Sequence, residues 1–284
     1  MLLREIRNIF HSELDTLYTK DEVTSFFYIL TAHYFELERF ALVFEPNLVI
    51  DKDQETILFK ALSQLKMEKP IQYITGIAHF MDMDFKVNEH VLIPRPETEE
   101  LVRWILEDKA GVDTNIHILD MGTGSGCIPI SLAKNLPNVH VKALDISPKA
   151  LLVAKENAAV QGVKIDFQLA DIFDYHTDNV QRFDIIVSNP PYVREQEKSN
   201  MQKNVLCNEP GLALFVPDDD ALKYYRAIVH FATRNLNQNG SLYLEINQYL
   251  GEETKQLLVQ NKFKNVELRK DLYGNHRMLK GIKK

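Results

Sequence analysis

Four consecutive residues, Asn189-Pro190-Pro191-Tyr192, offer a side-chain amide, a backbone carbonyl in a stiff Pro-Pro unit and an aromatic ring. Such a set suits a planar NH2 group, with two oxygens to accept its hydrogens and a ring to pack on its flat face. The tetrapeptide follows the run Phe183-Asp184-Ile185-Ile186-Val187-Ser188. That run reads as a buried parallel strand, ended by two prolines that cannot donate to a ladder. Ligands bind at the carboxyl ends of strands in open α/β sheets. The plainer alternative is a proline-stiffened turn that merely closes a strand.

A second group lies upstream, where Ile116 to Leu119 run into Asp120-Met121-Gly122-Thr123-Gly124-Ser125-Gly126 and a helical segment starts at Cys127. Glycines there allow positive φ and close backbone approach, and a helix amino terminus has free N–H groups. A dinucleotide site would need its third glycine where Cys127 stands. Asp120 is awkward for a pyrophosphate but suits a cation, and S-adenosylmethionine carries a sulfonium and an ammonium. Asp145, at the end of the next strand, can accept from both hydroxyls of a ribose. Asp171 could then accept from the adenine amine, with Ile172 or Phe173 against the ring face.

With that cofactor, the tetrapeptide becomes the acceptor half of a methyl-transfer site. In-line displacement requires the nucleophile within about 3 to 3.5 Å of the methyl carbon. A conjugated nitrogen has its lone pair pointing the wrong way. Hydrogen bonds to the Asn189 side chain and the Pro190 carbonyl would orient the NH2 and favour pyramidalisation. No strong base is needed, because the alkylated nitrogen is acidic. The candidate catalytic residues are Asn189, Pro190 and Tyr192, with Pro191 completing the substrate cradle. Candidate cofactor contacts are Asp120, Gly122, Thr123, Gly124, Ser125, Gly126, Asp145, Asp171, Ile172 and Asn189.

These residues need a scaffold. Strands are expected at Ile116 to Leu119, Val139 to Leu144, Ile165 to Leu169, Phe183 to Ser188 and Ser241 to Ile246. Helices are expected at Cys127 to Asn135, Pro148 to Val160, Asp219 to Asn235 and Glu252 to Asn261. Lys264 to Arg269 and His276 to Gly281 read as a closing antiparallel hairpin. The fold class is therefore α/β: a doubly wound, mostly parallel, seven-stranded Rossmann-like sheet with an antiparallel carboxyl-terminal hairpin. Residues 1–70 read as a small helical domain, 71–93 as a β-hairpin linker and 94–284 as the catalytic domain. In the first, Ile6, Ile9, Phe10 and Leu14 share a face, and Thr19 to Glu22 and Asp51 to Gln54 look like helix starts. The aromatic segment Phe26 to Phe44 is expected to be mostly core. The alternation Met81, Met83, Phe85, Val87 suggests a strand of the hairpin.

The 284 residues are 45% hydrophobic and 26% charged, an ordinary globular composition. A formal charge of −7 disfavours nonspecific coating of nucleic acid, so no stable nucleic-acid binding is expected. Two distant cysteines, Cys127 and Cys207, form neither a disulfide framework nor a zinc site. No histidine spacing suggests a metal, and none is expected. Charges close to Met1 and the lack of a long apolar run point to a cytoplasmic protein without a membrane segment. Trp104 is read as core, and Lys280, Lys283 and Lys284 as a solvated end. Arg95 and Glu97 are read as lying between the domains, either bracing the cofactor cleft, holding the backbone of a protein substrate, or forming an interdomain ion pair without a functional role.

Gly122 to Gly126, Asp145 and Asn189 to Tyr192 resemble class I S-adenosylmethionine-dependent methyltransferases of planar nitrogens. Tyr73-Ile74-Thr75-Gly76 and Val91-Leu92-Ile93-Pro94-Arg95-Pro96-Glu97-Thr98-Glu99 resemble one branch, the HemK/PrmC family of peptide chain release factor glutamine N5-methyltransferases. The resemblance implies that the acceptor is the glutamine of the Gly-Gly-Gln motif of bacterial class 1 release factors. The products would be N5-methylglutamine and S-adenosylhomocysteine. It also implies that a helical amino-terminal domain helps to hold the protein substrate. Asn189 to Tyr192 would bind the amide, while Gly122 to Gly126, Asp145, the region of Ile172 and Asn189 would contact the cofactor. The family often has an aromatic residue where Ile172 stands. Asn208-Glu209-Pro210 and Leu212-Ala213-Leu214 resemble a family loop bordering the substrate groove. Two other functions fit part of the pattern. A DNA adenine or rRNA guanine amino-methyltransferase would use the same tetrapeptide but calls for a basic, aromatic surface. An idle cofactor-fold scaffold would not need Asn189.

Overall fold

The computed structural model describes residues 1–111, 114–175 and 182–284, and local sequence chemistry accounts for its helix starts. After α1 (Leu3–Leu14), the Glu22 amide donates to Thr19 Oγ1 at 3.3 Å and the Thr19 amide donates to the Glu22 carboxylate at 2.9 Å. This reciprocal box opens α2 (Lys20–Phe35). The short α3 (Ala41–Phe44) follows, and Asp51 with Gln54 forms the matching box at α4 (Lys52–Lys66). With α5 (Ile71–Thr75), these helices belong to a unit comprising Met1–Gly76 and Gln202–Asn208. Ile6, Phe10 and Leu14 pack with Val23, Phe27, Leu30, Leu58 and Leu65 in its core. The aromatic segment departs from expectation at its far end. Phe27 is buried, but Phe40 and Phe44 are 60% and 80% exposed, because α3 is one turn long and buries only Leu42.

Residues 77–201 and 209–284 make the second unit. It starts with the antiparallel strands β1 (Ile77–Phe80) and β2 (Met83–Lys86). The expected hairpin over 71–93 is thus shorter, its first residues being helical. Met81 does not alternate with Met83 and Phe85 on one strand; it sits in the turn with Asp82, at φ 50° and 58°. Two positive φ values match the turn to the twist of its strands, and the sequence alternation simply counts through it.

The chain then forms α6 (Pro96–Asp108), β3 (Ile116–Met121), α7 (Cys127–Asn135), β4 (Val139–Asp145), α8 (Pro148–Gln161), β5 (Asp166–Leu169) and β6 (Phe183–Ser188). The two-residue strand β7 (Val193–Arg194) precedes α9 (Lys203–Asn208), which counts with the first unit. After β8 (Phe215–Val216) come α10 (Lys223–Asn235), β9 (Leu236–Glu245), α11 (Gly251–Gln260), β10 (Lys264–Lys270) and β11 (His276–Ile282).

The seven-stranded sheet has the order β10-β11-β9-β6-β3-β4-β5, and only β11 runs antiparallel to its neighbours. Its central strands are apolar on both faces because helices cover both, with Ile118, Ile185 and Val187 in one core and Leu119, Ile186 and Leu244 in another. Two bounds differ from expectation. A short 3-10 turn at Asp218–Asp220 precedes α10, so that helix starts later. β9 starts earlier, at Leu236, and its register against β6 shifts between Phe183 and Ile185. Trp104 is 1% exposed and meets Tyr243 edge-on at 5.7 Å, in line with its reading as core. Lys280 is not a solvated end: its ammonium donates to Asp108 at 2.6 Å beside those two rings.

Candidate active site

The carboxyl ends of β3, β4, β5 and β6 converge on one cavity of about 370 Å³. Chain order reverses beside β3, where β4 lies on one side and β6 on the other, so the cavity sits at a topological switch point. It is lined by Gly122 to Ser125, Asp145, Asp171, Ile172, Phe173 and Asn189 to Pro191, together with His90, Leu92, Arg95 and Thr98. The sequence pieces Val91 to Glu99 and Asn189 to Tyr192, far apart in the chain, thus contribute to one wall. Pro210, Leu212 and Ala213 of the loop after the tetrapeptide also reach it.

The glycine loop is shaped from below. Gly122 and Thr123 donate their N–H groups to the Leu144 carbonyl at 2.9 and 2.8 Å, and Gly124 donates to Asp145 Oδ2 at 2.8 Å. Gly126 donates to the Thr123 carbonyl, so four of the loop's amides are spent on the protein itself. They are not free to wrap a pyrophosphate as a phosphate-binding loop does. Gly126 caps α7 at φ 82°, and a Cβ there would lie 2.9 Å from Ile130 Cδ1 and 3.1 Å from Ala154 Cβ. Buried Asn157 of α8 clamps the loop by donating to the Ser125 carbonyl at 2.9 Å, and it also bonds both backbone groups of Lys86.

Charge in the site is anionic. Asp120 is fully buried beneath the loop, does not line the cavity, and has no hydrogen-bond donor for either oxygen among the described residues. Burial lifts its carboxyl from 3.8 to about 7; the Asp145 charge adds to the rise and the nearby Thr123 hydroxyl opposes it. Asp145 also titrates above its usual range because of burial, despite accepting from Gly124 and from the Ser147 amide at 2.9 Å. A carboxylate has about four lone-pair sites, so Asp145 keeps capacity for further donors. Among the described residues the only Lys or Arg in the lining is Arg95, which pairs with Glu209 at 2.5 Å. That partner is in the same unit, so Arg95 is not the interdomain link foreseen. An acidic wall around an apolar floor, with one committed cation, fits a positively charged adenosine derivative and opposes a phosphate.

At the tetrapeptide, Asn189 Nδ2 donates to Thr98 Oγ1 at 3.1 Å, and Thr98 Oγ1 donates to Glu245 Oε2 at 2.6 Å. The other oxygen of Glu245 takes the Tyr192 hydroxyl at 2.9 Å. Below, Ser188 Oγ donates to the Met121 carbonyl at 2.5 Å, tying the ends of β6 and β3. Asn189 Oδ1 and the Pro190 carbonyl receive no hydrogen bond from a described residue, and both residues line the cavity. Tyr192 does not line it; its ring packs against the core around Leu244 and its hydroxyl is committed to Glu245. The expected stacking of Tyr192 on an acceptor is therefore not the arrangement present. Ile172 and Phe173 both reach the cavity, and Phe173 lies 5.1 Å from the ring of Tyr224, a wall residue not foreseen. Thr98 and Glu245 were also missed. Each left a trace: Thr98 heads the otherwise apolar stripe Leu101, Val102, Ile105, and Glu245 is the lone charge of β9, directly after the buried Leu242, Tyr243 and Leu244.

Among the described residues no three His, Cys, Asp or Glu side chains are grouped for a metal ion, and no helix is long and apolar enough to cross a membrane.

The sheet order and the site at its carboxyl edge are those of class I S-adenosylmethionine-dependent methyltransferases. Residues 101–214 match the methyltransferase small domain, and residues 6–76 match the PrmC N-terminal domain. A release factor glutamine methyltransferase of Flavobacterium psychrophilum is 52% identical over 99% of both chains. One from Bacteroides thetaiotaomicron is 38% identical over 98% of this chain and 99% of its own. Among solved structures, the Thermus thermophilus 16S rRNA N2 G1207 methyltransferase, in complex with AdoMet and guanosine, superposes with a TM-score of 0.53 at 19% identity, covering 73% of this chain and 50% of that one; it bears on the fold alone. The chain belongs to the HemK/PrmC family of release factor glutamine methyltransferases.

Proposed function

We propose that this protein methylates the side-chain nitrogen N5 of the glutamine in the Gly-Gly-Gln motif of bacterial class 1 release factors, in the cytoplasm, yielding N5-methylglutamine. S-adenosylmethionine, when bound, supplies a methyl group on a sulfonium and departs as S-adenosylhomocysteine. The residues that would hold it are Gly122 to Gly126, Asp145, Asp171 and Ile172, with Asp120 buried behind the loop and Asn189 at the reacting end. Asn189 Oδ1 and the Pro190 carbonyl accept the two amide hydrogens of the glutamine, which orients its nitrogen and favours its pyramidal form. Pro191 stiffens the cradle and Tyr192 braces it from behind. As the nitrogen gains carbon and positive charge, its proton becomes acidic and leaves without a strong base. Positioning does most of the work.

The observation that carries this reading is the pair of unclaimed oxygens, on Asn189 and Pro190, at the wall of an acidic cavity. Labelled S-adenosylmethionine offered separately with release factor, DNA and ribosomal subunits tests it. Label is expected in the release factor. Label confined to nucleic acid would contradict the assignment.

A further inference from the structure

Asn189 can do its part only if its oxygen, and not its NH2, is presented to the acceptor. The two ends of an amide are nearly the same size, so shape alone does not choose between them. The polar chain behind Asn189 does. Glu245 is 1% exposed and Thr98 is 3% exposed, so neither has water as an alternative partner. An ionised Glu245 can only accept, and it takes the Thr98 proton on one oxygen and the Tyr192 proton on the other. Thr98 has a single hydroxyl proton, so toward Asn189 its oxygen is an acceptor. The NH2 edge of Asn189 fits there at 3.1 Å. A reversed amide would set two lone-pair oxygens against each other. Burial, with the charge of Glu97 adding to it, raises the Glu245 carboxyl above its usual range, and the Thr98 and Tyr192 hydroxyls and the charge of Arg277 oppose that rise.

We propose that Thr98, locked by Glu245, is a positioning residue that selects the catalytic orientation of the Asn189 amide. One buried carboxylate then governs both ends of the tetrapeptide, Asn189 through Thr98 and Tyr192 directly. The inference rests on the methyl-transfer reading above, and it gives a role to the threonine of the Val91 to Glu99 segment.

The test compares wild type, T98V, T98S, N189A and the double variant T98V/N189A. Turnover on release factor and calorimetric affinity for S-adenosylhomocysteine are measured for each. T98V keeps the shape without the hydroxyl and should slow turnover about 10- to 100-fold, with cofactor affinity changed by no more than about twofold. T98S restores the hydroxyl and should recover most of the loss. In the N189A background, T98V should add nothing, because Thr98 acts through Asn189. T98V turning over as fast as wild type, or T98V slowing N189A as much as it slows wild type, would overturn the proposal. A valine that unsettles the fold would show as lost cofactor binding, so side-chain amide spectra of wild type and T98S give a second readout. Asn189 should show one hydrogen-bonded and one free proton in both; two equivalent free protons in wild type would overturn the proposal. Wild type that labels no release factor would instead overturn the substrate reading, and the amide spectra would still decide the orientation.

Discussion

On the proposed assignment, Asn189 supplies an oxygen whose contact strengthens as the acceptor nitrogen becomes pyramidal and charged. Asn189→Ala should therefore lower kcat by about 100-fold or more while affinity for S-adenosylhomocysteine falls far less. Equal losses in both would assign Asn189 to cofactor binding alone. Asp120 makes a different prediction. Its carboxyl is lifted by burial, first of all, from 3.8 to about 7. The folded protein then holds a proton that the unfolded chain has released, so this group's contribution to stability is full below 3.8 and is lost as pH rises through about 7. Asp120→Asn removes that dependence. Its thermal stability relative to wild type should rise across this window and level off above it, and a difference that stays flat would show that Asp120 is already ionised. Residues such as Asn189 and Asp145 were legible in the sequence because their neighbours carry the context of a strand end. Thr98 and Glu245 were not, since their partnership spans 147 residues and only the fold closes it.

Elements show the same division. Strands β3, β4 and β6 were legible because each is a short run rich in Ile, Val and Leu set between helical segments, even though β4 also carries His140 and Lys142. β9 begins five residues earlier than its apolar stretch suggests, at Leu236 against an expected Ser241, because polar Asn237 to Asn239 are carried in the shifted register. The exposed Phe40 and Phe44 illustrate another limit: composition shows that a segment is apolar, not that it has a neighbouring surface to cover it. Gly126 joins an element to the site. It must hold positive φ and also let α7 approach α8, so Gly126→Ala should cost about 2 to 4 kcal/mol, read by urea denaturation. Cofactor affinity should fall with it, because the loop that α7 anchors would shift. A variant as stable as wild type would mean that Ile130 and Ala154 yield easily.

At the scale of the molecule, a net charge of −7 and a cavity wall whose only Lys or Arg among the described residues is already paired fit a small cationic cofactor and a protein acceptor better than a nucleic-acid backbone. Family membership and site geometry converge on one reaction, methyl transfer to a carboxamide nitrogen. The glycine loop alone allowed several nucleotides, the tetrapeptide alone allowed several NH2 acceptors, and their meeting in one cavity links them. The central claim is tested most directly by mass spectrometry of the Gly-Gly-Gln peptide from release factor incubated with this enzyme and S-adenosylmethionine. The glutamine side chain should gain one methyl group with wild type and none with Asn189→Ala. An unmodified glutamine, under conditions where the wild-type enzyme binds the cofactor, would contradict that claim.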